Sequence, residues 1–243
     1  MTRQHVFPDR LRHVLPRKIG VRLNAQAHRT TIDGKIRSNQ KLRTSQGSTQ
    51  THRIRKVCLA CNTGWMRVIE EEAFPVAEQL IRGDLASMSA TQADQMMRLA
   101  LNIAFVGEYL EADCVTTRQF EREHFKLTLT PPSKWFVFLG RDGTNLENPR
   151  FLSDGLALSE EVGVGAPKGF ASFTMTMGRL LLHVLSMGEA FGVDPIRYGN
   201  ACGMACLWPN ATNIDVAGLP IFGEKEITTM RRFAGLSVRP FLA

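Results

Sequence analysis

Two cysteines two residues apart, Cys58-Leu-Ala-Cys61, run directly into Asn62-Thr-Gly64-Trp65-Met66 and then into a helix pattern. That spacing suits a knuckle presenting two sulfurs to one metal ion. Behind it, Trp65, Val68, Ile69 and Ala73 recur at the interval of a helix buried along one stripe. The N-terminal part of the chain is therefore built around a tight turn that feeds a helix. Far upstream, Gln4-His5-Val6-Phe7-Pro8 puts a histidine in a short apolar segment. Alone, His5 reads as a surface histidine and the cysteine pair as half a metal site. Read as the two ends of one unit, they carry chemistry.

Charge is distributed unevenly. Residues 1–56 hold fourteen Lys and Arg against Asp9 and Asp33, a balance of +12, and the remainder carries −5, which gives the net +7. A basic quarter on a mildly acidic remainder is the electrostatic pattern of a polyanion-binding segment, or of a solvated basic arm. At 243 residues the chain is long enough for one large domain or a small and a larger one. The longest apolar run, Leu180 to Leu185, is interrupted by His183 and is too short for a membrane span. Five cysteines and no signal-like apolar core near the N-terminus predict a reducing compartment, with the cytoplasm as the expected location.

Along the chain, Asp9 to Leu15 reads as a short helix ended by Pro16, and Thr30 to Ile36 as a hairpin turning at Asp33-Gly34. Ser45 to Thr51 reads as a loop. The Trp65 helix is expected to kink or end at Pro75, with a second piece from Val76 to Ile81 stopping at Gly83. Thr91 and Asp94 have the spacing of a capping box, opening a helix with Met97, Leu101, Ala104 and Phe105 on one face. Strands are predicted over Trp135 to Leu139, Ser172 to Met177 and Gly203 to Leu207; Leu180 to Ser186 fits strand or helix. Glu224 to Phe233 reads as a final helix capped by Gly235. Met96, Met97, Met175 and Met177 are expected in the core, as is His183, with His13 and His124 at the surface. Cys202 and Cys206, placed in one strand, read as buried thiols.

Through Gln4-His5-Val6-Phe7-Pro8 and Cys58-x-x-Cys61-Asn62-x-Gly64-Trp65-Met66, the chain resembles HNH endonuclease-like proteins of bacteria, phages and mobile elements. The acidic run Glu70 to Glu72, the Gln95 to Ala104 helix, Pro131-Pro132 and Trp208-Pro209 are similar to one branch of them. The resemblance implies an α+β protein: a small ββα-metal-like module over residues 1–75, followed by a mixed α/β domain over 76–243. It implies His5 as the general base and Asn62 as a ligand of a catalytic Mg²⁺ or Mn²⁺, with Gln4 a weaker ligand. Cys58 and Cys61 match half of a structural Zn²⁺ site, which His28 or His52 would have to help complete.

Three departures qualify that pattern. Gln4 stands where Asp or Glu is usual, and His52 and Arg53 occupy the stretch where an Asn usually orients the base. Met1 falls where another cysteine pair is expected, which predicts either a start further upstream or a truncated copy. The leading expectation is a metal-dependent endonuclease hydrolysing DNA phosphodiester bonds. The alternative is a non-catalytic nucleic-acid-binding protein on a degenerate HNH scaffold, and a third reading makes the basic segment only a solvated tail. Arg3, Arg10, Arg12, Lys35 and Arg55 are the candidate DNA phosphate contacts, chosen by charge. No membrane partner is expected.

Overall fold

The computed structural model describes residues 2–15, 21–32, 35–46, 53–110, 117–144, 149–157, 168–187, 194–209 and 212–227. Helices and sheets mix in an α+β arrangement, and helix α3 (Ala90–Gly107) lies at its centre. From Leu99 to Gly107 every residue of α3 is buried, so this stretch of helix must be covered on all sides. One cover is α2 (Trp65–Arg82), which turns Met66, Ile69, Ala73, Val76, Ala77, Leu80 and Ile81 inward. The other is a sheet in the order β10 (Ala205–Trp208), β6 (Trp135–Asp142), β9 (Leu180–Met187), β8 (Lys168–Met177), β7 (Arg150–Ala157), β2 (Val21–Ile32) and β3 (Lys35–Gln46), with β12 (Ile221–Phe222) also pairing β6.

In the middle of that sheet, β6 (Trp135–Asp142), β8 (Lys168–Met177) and β9 (Leu180–Met187) are buried on both faces. Strand periodicity divides their side chains between two cores. Val137, Leu139, Phe173, Met175, Met177, Leu182 and Val184 face α2 and α3. Phe138, Phe170, Leu181 and Leu185 face the other way, onto Tyr198 of α5 (Pro195–Cys202) and Met204. A strand buried on both sides has no polar alternation, so Leu180–Met187 reads equally as helix or strand from sequence and is a strand here. His183 sits in the second core with both ring nitrogens bonded, to Thr174 Oγ1 at 2.9 Å and Tyr198 Oη at 3.0 Å. Burial pulls its pKa to about 4, so the ring is neutral.

Several expectations require correction. Pro75 neither ends nor divides α2, which runs unbroken to Arg82 and is capped by left-handed Gly83. Pro75 lies on the exposed side of the helix, where water can take the carbonyl its missing N–H leaves unbonded. The capping box is Ser89/Gln92, not Thr91/Asp94: Ser89 N donates to Gln92 Oε1 at 2.9 Å and Gln92 N to Ser89 Oγ at 3.3 Å. Gly203 is the left-handed cap of α5 and not a strand residue; β10 is Ala205–Trp208. Cys202 therefore ends a helix while Cys206 lies in a strand.

The hairpin expected over Thr30 to Ile36 is far longer than the sequence indicated, and its turn residues Asp33 and Gly34 lie outside the described residues. Its arms, β2 (Val21–Ile32) and β3 (Lys35–Gln46), pair over twelve residues each, and Ser45 belongs to β3. Strand β2 also pairs in parallel with β7 (Arg150–Ala157), which carries the hairpin onto the main sheet. The expected N-terminal helix is a 3₁₀ turn, Asp9–His13. Helix α4 (Gln119–Thr128) has no counterpart among the sequence expectations. Of the final helix, residues 224–227 are helical; Phe233, Gly235 and the loop residues after Gln46 lie outside the described residues.

Where α3 ends it meets the sheet with no space for a side chain: a Cβ on Gly107 would stand 2.3 Å from the Phe151 ring. Alanine would gain about 0.5–1 kcal/mol in helix propensity. Overpacking a fully buried ring costs about 1–3 kcal/mol, so packing decides the sign. We expect Gly107→Ala to lower the unfolding free energy by about 1–2 kcal/mol in urea titrations.

Candidate functional site

Strand β1 (Thr2–His5) pairs antiparallel with β4 (Arg53–Val57), setting Gln4 opposite Ile54 and His5 opposite Arg53. From β4 the chain enters the cysteine knuckle. Cys58 caps the short helix α1 (Leu59–Thr63), with its Sγ accepting from Cys61 N at 3.0 Å and its carbonyl accepting from Asn62 N at 3.0 Å. Gly64 then switches the chain from α1 to α2. A Cβ there would lie 2.5 Å from the Ala60 carbonyl oxygen, which explains the glycine two residues after Asn62. Two strands and a helical segment are thus assembled from opposite ends of a 60-residue stretch. His5 closes one strand, and half-buried Asn62 sits on α1, which packs beside β1.

Among the described residues, Arg53 and Asp9 both lie against His5 Nε2. Arg53 Nε donates to it at 2.6 Å, and Asp9 Oδ1, one turn along the 3₁₀ segment, lies 3.4 Å away. One nitrogen cannot serve both in the same state. The neutral ring offers Arg53 a lone pair, and the protonated ring offers Asp9 a proton. Arg53 and Asp9 therefore favour opposite protonation states of His5.

Behind His5, buried Gln4 turns its amide nitrogen to Glu70 Oε1 at 3.2 Å, and Asn102 Nδ2 approaches the same oxygen at 3.5 Å. Burial pushes the Glu70 carboxyl up to about 7, and the nearby Asp9 and Glu71 charges add to that rise. The Gln4 donation and Arg10 act in the opposite direction. Its neighbour Glu71, paired with Arg67 at 2.7 Å, is held below the usual carboxylate range. Neither Glu70, Asp9 nor Asn102 was singled out from the sequence. A signal for Glu70 exists: it continues the buried Met66–Ile69–Ala73 stripe, so an acid occupies an inward-facing helix position.

Exposed Cys58 has its thiol pulled down by donation from the Cys61 side chain and backbone, while Cys61 is pushed up by its bond to Cys58 and by burial. Their mutual contact thus shifts the two thiols in opposite directions. Among the described residues no group of three His, Cys, Asp or Glu is placed to hold a metal ion. Two thiols do not fit a closed four-ligand zinc site; the His28 side chain and His52 lie outside the described residues. Hard cations take oxygen; Gln4 on β1 and Asn62 on α1 carry amide oxygens, and Asp9 on the 3₁₀ turn carries a carboxylate.

The predicted phosphate contacts fare unequally. Arg10 lies 3.8 Å from Glu71 and 5.6 Å above the Phe74 ring, whereas Arg55 is exposed on β4. The side chains of Arg3, Arg12 and Lys35 lie outside the described residues. Trp65 meets Phe125 edge-on at 5.8 Å and packs, partly buried, against the main core. No family model, curated protein or solved structure matches the chain. Among the described residues no helix is long and apolar enough to cross a membrane.

Glu70 has a raised folded-state pKa, so its contribution to stability is fully present below about pH 4.5 and is lost as pH rises through about 7. The loss amounts to roughly 2–3 kcal/mol. Glu70→Gln keeps an acceptor for Gln4 and removes the charge. Urea unfolding at pH 5 and pH 8 should show wild type weakening with pH and the variant changing much less.

Proposed function

We propose that this chain is a metal-dependent HNH-type endonuclease that hydrolyses DNA phosphodiester bonds. The observation that carries the reading is the pairing of β1 with β4 and its continuation into the cysteine knuckle. It brings His5 and Asn62, 57 positions apart in sequence, onto adjacent elements of one strand–strand–helix unit. The basic N-terminal quarter supplies attraction for a polyanion.

In this reading His5 Nε2 accepts a proton from water, and the oxygen so activated attacks phosphorus. The bond from phosphorus to the 3′ oxygen breaks, and that oxygen takes a proton from solvent. Asp9 stabilises the imidazolium, and Arg53, displaced from Nε2 as the proton arrives, becomes available to a phosphate oxygen. Gln4 and Asn62 would hold Mg²⁺ or Mn²⁺ through their amide oxygens. Such an ion supplies charge stabilisation at the leaving oxygen. Zn²⁺ at Cys58 and Cys61 would be structural and needs ligands beyond this pair. A reducing, cytoplasmic setting suits the exposed dithiol.

The second reading, a DNA-binding protein without cleavage, is favoured by Arg53 occupying His5 Nε2 at 2.6 Å and by a neutral amide at position 4. Supercoiled-plasmid nicking in Mg²⁺ or Mn²⁺ separates the two. Loss of a general base typically costs about 10²–10⁴-fold, so His5→Ala should fall by at least about 100-fold and EDTA should abolish nicking. Absence of nicking with DNA binding intact and weakening steeply with salt would leave the second reading.

A further inference from the structure

A cleft of about 310 Å³ opens between the cysteine knuckle, the start of α2, the last turns of α3 and helix α4. Its volume lies at the small end of the ~300–1,000 Å³ range of small-molecule sites. Trp65, Phe105 and Tyr109 give it aromatic walls, and Lys56 and Lys126 stand at its edge, both exposed. Lys126 is close enough to favour the thiolate of Cys58. Arg122 is already committed, to Glu108, to the Phe105 carbonyl at 2.7 Å and to the Tyr109 face at 4.5 Å. It is a fixed part of the wall.

Asn102 gives the cleft its chemical direction. It lines the cleft, is 2 % exposed, and its nitrogen points to Glu70. Its Oδ1 has no hydrogen-bond partner among the described residues. A buried amide oxygen left unmet carries its full desolvation cost, which a bound N–H donor removes. The complementary ligand is flat and aromatic, donates an N–H from its ring edge and carries an anionic group a few ångströms away.

We propose that this cleft binds a single nucleotide. Its base lies against the aromatic walls and donates an N–H to Asn102 Oδ1, while Lys56 and Lys126 hold its phosphate. Base–aromatic stacking supplies affinity that tolerates any base, and the two lysines supply affinity common to all sequences. The nucleotide's source as an unpaired residue of a DNA strand rests on the nuclease reading; its recognition does not. Asn102 and Gln4 share Glu70 Oε1, so the nucleotide would lie one hydrogen-bonded relay away from the strand that carries His5.

The test is calorimetric titration of dAMP, dCMP and 2-deoxyribose 5-phosphate in EDTA, where no metal-dependent cleavage occurs. Both nucleotides should bind, the sugar phosphate at least tenfold more weakly. Asn102→Leu and the surface change Lys126→Glu should each weaken nucleotide binding at least tenfold, with folding checked by circular dichroism. A single-stranded oligonucleotide that displaces dAMP, where a blunt duplex does not, assigns the cleft to unpaired DNA. If neither polymer displaces dAMP, the cleft takes the free nucleotide. Equal binding of the sugar phosphate, no binding at millimolar nucleotide, or unaltered binding by both variants overturns the proposal. A protein that binds dAMP without nicking plasmid loses the nuclease reading and keeps the cleft; the converse result does the opposite.

Discussion

Burial of α3 on all sides is the constraint on which the rest of the structure rests. Nine consecutive residues, Leu99 to Gly107, are removed from water, which requires α2 on one side and the sheet on the other. Each element touching α3 is positioned by that requirement, including the start of α2 and, through it, the cysteine knuckle. Two polar side chains are drawn in with it: Asn102 within the helix and Glu108 just beyond. Glu108 is met by Arg122 and by Thr117 N at 2.9 Å. Asn102 is met only in part, by Glu70. A core packed this tightly leaves its few polar groups as the sites where specific chemistry can arise.

The candidate site is arranged around such groups. Glu70, Gln4 and Asn102 form a chain of amide–carboxylate contacts linking β1, α2 and α3. The face that presents His5 is thereby anchored to the main core. Proton uptake at Glu70 near neutral pH and the opposed preferences of Arg53 and Asp9 for the His5 ring place two titratable groups on adjacent elements. The resemblance drew attention to His5 and Asn62; the structure adds Asp9 and Arg53 against His5, and Glu70 against Gln4.

How much was legible in the sequence follows from physical causes. Periodicity located α2 and α3, because each buries a broad stripe, and the αL glycine at position 83 marked the end of α2. The central strands were found only in part, since burial on both faces erases the alternation that marks a strand. Helix α4 was missed because it is mostly polar, with only Glu121 and Phe125 buried. The length of the β2–β3 hairpin was hidden by its Arg, Asn, Gln and Ser content, which reads as loop until a neighbour such as β7 supplies the hydrogen bonds. At the site, the knuckle spacing was readable by itself. The role of Glu70 depended on Gln4 and Asn102, which are distant in sequence and meet only after folding.

Strand β3 ends the sheet order, so one of its backbone edges stands beyond the β2 pairing. An uncovered edge is a template on which a second chain can add a strand, and lysines and arginines along it oppose such growth by repulsion. Lys35, Arg37, Lys41 and Arg43 all fall on this strand. Basic residues at this place in the sequence are of the kind that keep an edge strand from pairing with its like, a use of the charge excess separate from attraction for polyanions.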